Sequence, residues 1–352
     1  MCNRTHWQPK RSQLCVMRLL LYTALISAAA VAVGCGRTQE TRAGQQLSGL
    51  FLVHQDGKVG YVNKSGKMEI TPQFASAAPF SDGLAVVQIG NRAGYIDEHG
   101  RIVINPQFDS GAPFSDGLAA VRVGNAWGFI NNKGEMVIQP RFQDPGPLPM
   151  QFHEGLCAVN AGPGTPVGYI DKSGKMVIPA QFQVGLPFSD GLASVSLAGK
   201  YGYIDKAGKI VVNPQFDQAS SFYENLAAVR TGNHWGYIDK SGKYAINPQF
   251  DQARVFSDGL ALVQVGGKWG YIDKRGKFAV NPQYDVADDF SDGLAPVQVG
   301  DRWGYINKDG KVVINPQFND ARGFSLGLAP VQIGSAWGYV DKNGKFVWNP
   351  TA

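Results

Sequence analysis

The sequence predicts an all-β chain of tandem 34-residue repeats, each a three-stranded β-meander, stacked in an open curved or spiral array of propeller-like or solenoid character. Three observations predict it. A glycine recurs at Gly60, Gly94, Gly128, Gly168, Gly202, Gly236, Gly270, Gly304 and Gly338, with gaps of 34 residues except for one gap of 40. A leucine precedes it by ten residues at Leu50, Leu84, Leu118, Leu192, Leu226, Leu260, Leu294 and Leu328, and only Leu156 is displaced. Finally, 44 Gly and 20 Pro in a chain of 44% hydrophobic content supply turns and spoil helix interiors, and no amphipathic helix can be read after Leu50.

Residues 260–293 show how one unit is made. Leu260 to Val265 alternates large with small or polar side chains, the period-2 pattern of a half-buried strand. Gly266-Gly267-Lys268 is turn chemistry. Trp269 to Asp273 makes a second strand, with Trp269 and Tyr271 on one face and Ile272 on the other. In Asp273-Lys-Arg-Gly276-Lys277 the glycine can take the left-handed conformation that closes a hairpin. Lys277 to Val280 is the third strand, expected to end at Asn281-Pro282 because proline has no ladder donor. Pro296 and Pro330 fall inside first strands, which is tolerable if those strands are edges or bulged.

One such meander barely folds alone, so its apolar face must be covered by its neighbours. Residues 49–350 hold eight full repeats and a partial ninth, more than the usual blade count of a closed propeller. The period is also short for a four-stranded blade, and both facts favour the open array.

Five of the recurrent glycines follow a tryptophan, in Trp127-Gly128, Trp235-Gly236, Trp269-Gly270, Trp303-Gly304 and Trp337-Gly338. In this the chain resembles the WG-repeat family, over residues 50–350. The resemblance implies a bacterial, often exported protein without an assigned chemistry. Val59, Ala93, Val167 and Tyr201 replace the tryptophan in the other units, so no function that needs every tryptophan carries over.

Ahead of the repeats, Leu19 to Val33 form an uncharged apolar run after Arg18, too short for a comfortable membrane span and suited to a secretory signal. It ends in Ala32-Val33-Gly34-Cys35-Gly36, which resembles a bacterial lipobox, with Ala32 where leucine is favoured. Residues 1–35 are expected to be a leader and lipoprotein signal peptide, with Met17 as an alternative start, and residues 36–48 a polar tether. Cys35 is the expected lipidation site, holding an exported protein on a membrane of the bacterial cell envelope through N-terminal acyl chains. Gly36 lacks the Asp that marks inner-membrane retention in some bacteria and points towards the outer membrane.

The net charge of +5 belongs to that leader. Of 33 Lys and Arg, four (Arg4, Lys10, Arg11 and Arg18) precede Cys35 without any Asp or Glu, so 29 basic residues face 28 acidic ones in the rest. A near-neutral array has no sequence-wide reason to bind nucleic acid. Cys157 alone lies in the repeats, where other units carry Ala, so no disulfide framework exists and a small buried side chain is expected.

The candidate binding residues are Trp127, Trp235, Trp269, Trp303 and Trp337, as an aromatic strip for sugars or peptide side chains, set against a place in the core between repeats. Leu148, Met150 and His153 are the others. They sit within the 40-residue gap, whose extra residues, four between Phe142 and Leu156 and two before Gly168, give Asp144-Pro-Gly-Pro-Leu-Pro149 and Ala161-Gly-Pro-Gly-Thr-Pro166, and loops that depart from a repeat often hold partner contacts. The hairpin aspartates, replaced by Asn63, Asn131 and Asn307, read as turn caps and not calcium ligands. His54, His99, His153 and His234 occupy unrelated repeat positions, without a nucleophile–base or metal-ligand spacing. The expected function is therefore a non-catalytic scaffold for protein–protein interaction, without cofactor or metal. A cell-wall or extracellular glycan binder and an enzyme with a site assembled between repeats are the alternatives.

Overall fold

The computed structural model describes residues 48–143, 150–160, 162 and 164–351, within one compact unit, residues 36–352. Among the described residues the chain is all β without a helix, and its nine antiparallel sheets form a nine-bladed β-propeller. Blades 1 to 9 cover residues 50–74, 76–108, 110–142, 156–182, 184–216, 218–250, 252–284, 287–318 and 320–351.

Blade 7 shows the construction. Its first strand Leu260–Val265, second strand Lys268–Ile272 and third strand Phe278–Tyr284 form the expected meander, preceded by a leading strand, Gln252–Ser257. Six of the nine sheets have four strands, and in five of these the leading strand is only two residues long, as in Val184–Gly185. That brevity is how 34 residues suffice for a four-stranded blade. Among the described residues the three-stranded meander thus holds in three sheets and gains a leading strand in the other six.

The third strand also runs on through the proline that was expected to end it. Trp269 pairs with Tyr284 and Tyr271 with Val280, so the one residue between them on the second strand faces three on the third. The excess is a bulge at Asn281-Pro282-Gln283, where the proline owes the ladder no donor. Such a bulge presses backbone onto Gly270: a Cβ there would lie 2.6 Å from both Pro282 N and Val280 O. All nine recurrent glycines meet the facing strand in this way, which is the physical reason for the repeat's most constant position.

The first strand containing Pro330 is not an edge, and the one containing Pro296, outermost in a three-stranded sheet, is still bridged to the leading segment at Ala287 and Val297. Each proline pairs with a tyrosine of the second strand, Tyr305 or Tyr339. On its other side each carbonyl accepts an N–H, from Asp288 or Arg322, where the leading segment turns away and asks for no donor in return.

The core lies between blades. Leu260, Leu262, Tyr271, Val280 and Tyr284 on one face of blade 7 pack with Ala287, Phe290, Ala295, Val297 and Ile306 of blade 8. Phe256, Ala261, Val263 and Ile272 on its other face pack with blade 6. Each joint therefore sets a face of large aromatics against a face of Ala, Val and Ile, a pairing of sizes that fills volume without strain.

The array is closed, against the open form expected. Blade 9 returns to blade 1, where Phe51, Val53 and Val62 cluster with Leu328, Tyr339, Val347 and Trp348, and the Tyr339 hydroxyl donates to the Leu52 carbonyl at 2.8 Å. The repeat count did not forbid closure, because thin blades with a two-residue leading strand pack nine to a ring.

Candidate interaction surface

Most recurring polar groups are spent on the joints. In Phe-Ser-Asp-Gly-Leu, the Asp and Gly both take positive φ, 54° at Asp190 and 86° at Gly191, and Ser189 and Leu192 exchange backbone hydrogen bonds across them. This is the two-residue turn that demands Asn, Asp or Gly. The turn then reaches the next blade. Asp82, Asp116, Glu154, Asp190, Glu224, Asp258 and Asp292 each accept a backbone N–H of the following turn, at 2.7 to 3.2 Å. Ser115 and Ser189 donate to the next blade's Phe152 and Phe222 carbonyls at 2.6 Å.

The tyrosine that follows eight of the nine recurrent glycines, all but Gly128, makes a third link. The buried Tyr203 hydroxyl donates to the Ser220 carbonyl at 2.8 Å and its ring meets Phe222 edge-on at 4.7 Å, and Tyr61, Tyr95, Tyr169, Tyr237, Tyr271 and Tyr305 repeat the pattern. Burial holds these phenols in the neutral form, and pushes even Tyr339 up to about 12.

The hairpin between second and third strands is capped as expected. Asp273 Oδ1 accepts the N–H groups of Arg275 and Lys277, and Gly276 sits at φ 81°. The carboxyls of Asp171 and Asp239 are held below the usual range, first by the hydroxyls of Ser173 and Ser241 and then by backbone donors. Among the described residues no group of three His, Cys, Asp or Glu side chains could hold a metal ion.

The tryptophan column lies at the start of the second strand. Trp235 is 4% exposed, and Trp127, Trp269, Trp303 and Trp337 are half-buried. Each pairs with Arg or Gln on the first strand: Arg122, Arg230, Gln264, Gln298 and Gln332. The Arg254 guanidinium lies 5.8 Å over Trp269 and that of Arg322 lies 4.6 Å over Trp337, so cations of the same blades already cover two of these rings.

Around the 40-residue gap, Leu148 lies outside the described residues, as does Cys35. Met150 is 3% exposed and packs with Phe142, Phe152 and Cys157, so it belongs to the core. Phe152-His153-Glu154-Gly155-Leu156 is the joint turn back in frame: Phe152 meets Phe129 edge-on at 4.9 Å, and His153 takes the serine position. Burial lowers the His153 pKa, against the pull of Asp116 and Glu154. Cys157 is buried and its thiol is pushed up by burial.

What faces water recurrently is the beginning of the third strand, a position that sequence reasoning passed over. Ile102 and Val103, Met176 and Val177, Ile210 and Val211, and Val312 and Val313 are exposed in adjacent pairs, from 37% at Val177 to 50% at Val312. Successive side chains point to opposite faces, so the beginning of this edge strand is covered on neither face, whereas Ile104, Ile178, Val212 and Ile314 further along it are buried. The signal was present in the sequence, since two consecutive apolar residues break the alternation of a half-buried strand.

The family model described as WG containing repeat matches residues 60–92, 94–125, 127–162, 168–201, 201–233, 235–269, 269–303 and 303–335. These units straddle the blades: the match at 235–269 holds the second and third strands of blade 6 and the leading and first strands of blade 7. No curated protein matches the chain in sequence. Among solved structures, a crystal structure of the eukaryotic initiation factor is similar, with a TM-score of 0.59 at 13% identity, covering 86% of this chain and 95% of its own. Hsv2p of Kluyveromyces lactis aligns at a TM-score of 0.42 and 11% identity, covering 65% of this chain and 92% of its own. Identities this low speak to the fold of the first and to nothing more.

Proposed function

The chain belongs to the WG containing repeat family, and on that premise we propose that it is a non-catalytic scaffold, anchored in the bacterial envelope through Cys35, that binds another protein through its third-strand edges. The observation that carries the reading is the exposed apolar pair at the same position of blades 2, 4, 5 and 8. Apolar surface left open at a regular spacing is what a partner covers. The partner engages these side chains and does not add a strand. Pro106, Pro214 and Pro316 lie within the third strands, and prolines guard an edge against pairing with another chain. The burial of Cys157 and the scattering of His54, His99, His153 and His234 over blades 1 and 2, the turn before blade 4, and blade 6 support the non-catalytic part.

The test is a pull-down from crosslinked envelopes with the acylated protein, beside a Cys35→Ala form and a variant carrying Ile102→Ser, Val103→Ser, Val312→Ser and Val313→Ser. A discrete protein partner should be recovered and should be depleted with the serine variant. Recovery of wall polymer alone, or of nothing above control, removes the protein-partner reading and shifts the weight to glycan binding or a purely structural role.

A further inference from the structure

Blades 9 and 1 meet at the joint that closes the ring, and three side chains there depart from their repeat columns. Phe51 stands where every other blade has a buried Ala or Cys157. Leu326 stands where blades 2 to 8 have the Asp or Glu that reaches the next turn. Trp348 stands where the other third strands have Ile or Val. In a chain otherwise so regular, three departures at one joint ask for a common cause.

The ordinary joint supplies that cause by contrast. At six of the eight other joints a tyrosine hydroxyl donates to the leading segment of the next blade, a phenylalanine of that segment lies against the tyrosine ring, and a carboxylate crosses to the next turn, as between blades 5 and 6. The repeat spacing would put the leading segment of blade 1 at residues 42–44, outside the described residues. At this joint the Tyr339 hydroxyl goes instead to the Leu52 carbonyl, the counterpart of the Val86 carbonyl that accepts the N–H of Ala78 in blade 2. Phe51 sets a ring edge-on to Tyr339 at 5.4 Å. Leu326 keeps the left-handed backbone of the turn, at φ 52°, although a leucine is strained there. Its side chain joins the apolar cluster of Phe51, Val53, Val62 and Trp348. Such strain persists only where the surroundings over-determine it.

We infer that Phe51, Leu326 and Trp348 are a closure set, which exchanges the polar links of the ordinary joint for an apolar clasp and so makes the chain close on itself. An array of blades with complementary ends either closes or adds further copies head to tail. The clasp selects closure because Phe51 of blade 1 fits Tyr339, Leu326 and Trp348 of blade 9, a match that no ordinary joint offers.

The test compares wild type with a Phe51→Ala/Trp348→Ile double variant, which restores the column residues, and with Phe51→Ala alone in case the double variant fails to fold. Hydrogen exchange is read blade by blade, and mass and radius in solution by light and X-ray scattering. Wild-type blades 1 and 9 should be as protected as the interior blades. The variants should exchange about tenfold faster or more in blades 1 and 9, with blades 3 to 7 unchanged and a larger radius or a concentration-dependent rise in mass. Terminal blades already unprotected in wild type, unchanged variants, or a loss of protection spread evenly over all blades would each overturn the inference.

Discussion

Within the tryptophan–glycine pair the glycine should matter more than the tryptophan, and blade 7 allows the difference to be sized. A methyl group at Gly270 would sit 2.6 Å from Pro282 N and from Val280 O, where ordinary contact begins at 3.4 Å, so the facing backbone must retreat by about 0.8 Å. Neither atom belongs to a side chain that can swing away, and the retreat pulls on the neighbouring pair of Tyr271 with Val280. Overpacking of this kind costs about 1–3 kcal/mol. Gly270 has no positive φ, so alanine also gains about 0.4–1 kcal/mol by restricting the unfolded chain. Gly270→Ala should therefore destabilise by about 1–2 kcal/mol. Trp269→Tyr should cost less, because Tyr201 already fills that column in blade 5 and the Trp269 ring is half exposed. Urea unfolding followed by intrinsic fluorescence measures both, provided the slope is unchanged between variants. The reasoning fails if Gly270→Ala lies within about 0.5 kcal/mol of wild type or if Trp269→Tyr is the more damaging.

Tyr203→Phe strands the Ser220 carbonyl at a buried joint and should cost about 1 kcal/mol in the same assay, with the loss of exchange protection confined to blades 5 and 6. Cys157 should not react with a thiol reagent at pH 8 in the native protein and should react fully in denaturant, since it is buried in the core and its thiol is shifted upward; prompt native reaction would contradict that placement. The carboxyls of Asp171 and Asp239 are lowered on folding, so their contribution to stability is present above the unfolded carboxyl pKa of about 4 and is lost as pH falls through the folded value. Asp171→Asn with Asp239→Asn, the residue that Asn63 and Asn307 already use as cap, should keep the hairpin and flatten the acid side of a stability–pH profile. An unchanged acid limb would count against the cap as its source.

The strands, their order and the caps were legible in the sequence because they are local. Alternation marks a strand, and Asp-Lys-x-Gly-Lys carries its own turn. What was illegible depended on the neighbouring blade or the facing strand. The leading strand of two residues has no periodicity to detect, and it is held by pairs such as Val184 with Ser196. The run of the third strand through Pro282 depended on a bulge that only Gly270, twelve residues earlier, makes room for. Closure depended on Phe51 meeting Tyr339, which no local pattern foretells. Sequence reading passed over Phe51, Leu326 and Trp348, although each departs from its repeat column.

The joints bear on where function can reside. A column that is the same in every blade is already accounted for once its joint is known. The tyrosine hydroxyls, the serine hydroxyls and the turn carboxylates are all committed to the next blade, and the tryptophans lie half-buried or deeper between a polar side chain and the third strand. Recognition by such a ring must then use what differs between blades. At the start of the third strand, Ile102-Val103 of blade 2 becomes Met176-Val177 in blade 4, Tyr244-Ala245 in blade 6 and Phe278-Ala279 in blade 7, while the buried residues two and six positions after the first of each pair keep their type. Variation at an exposed apolar site beside a fixed interior gives one scaffold a distinct chemistry at each blade. A partner that reads several blades should accordingly lose affinity when two of these pairs are exchanged between blades 2 and 6, at unchanged stability, whereas a partner bound by the constant columns would not sense the exchange.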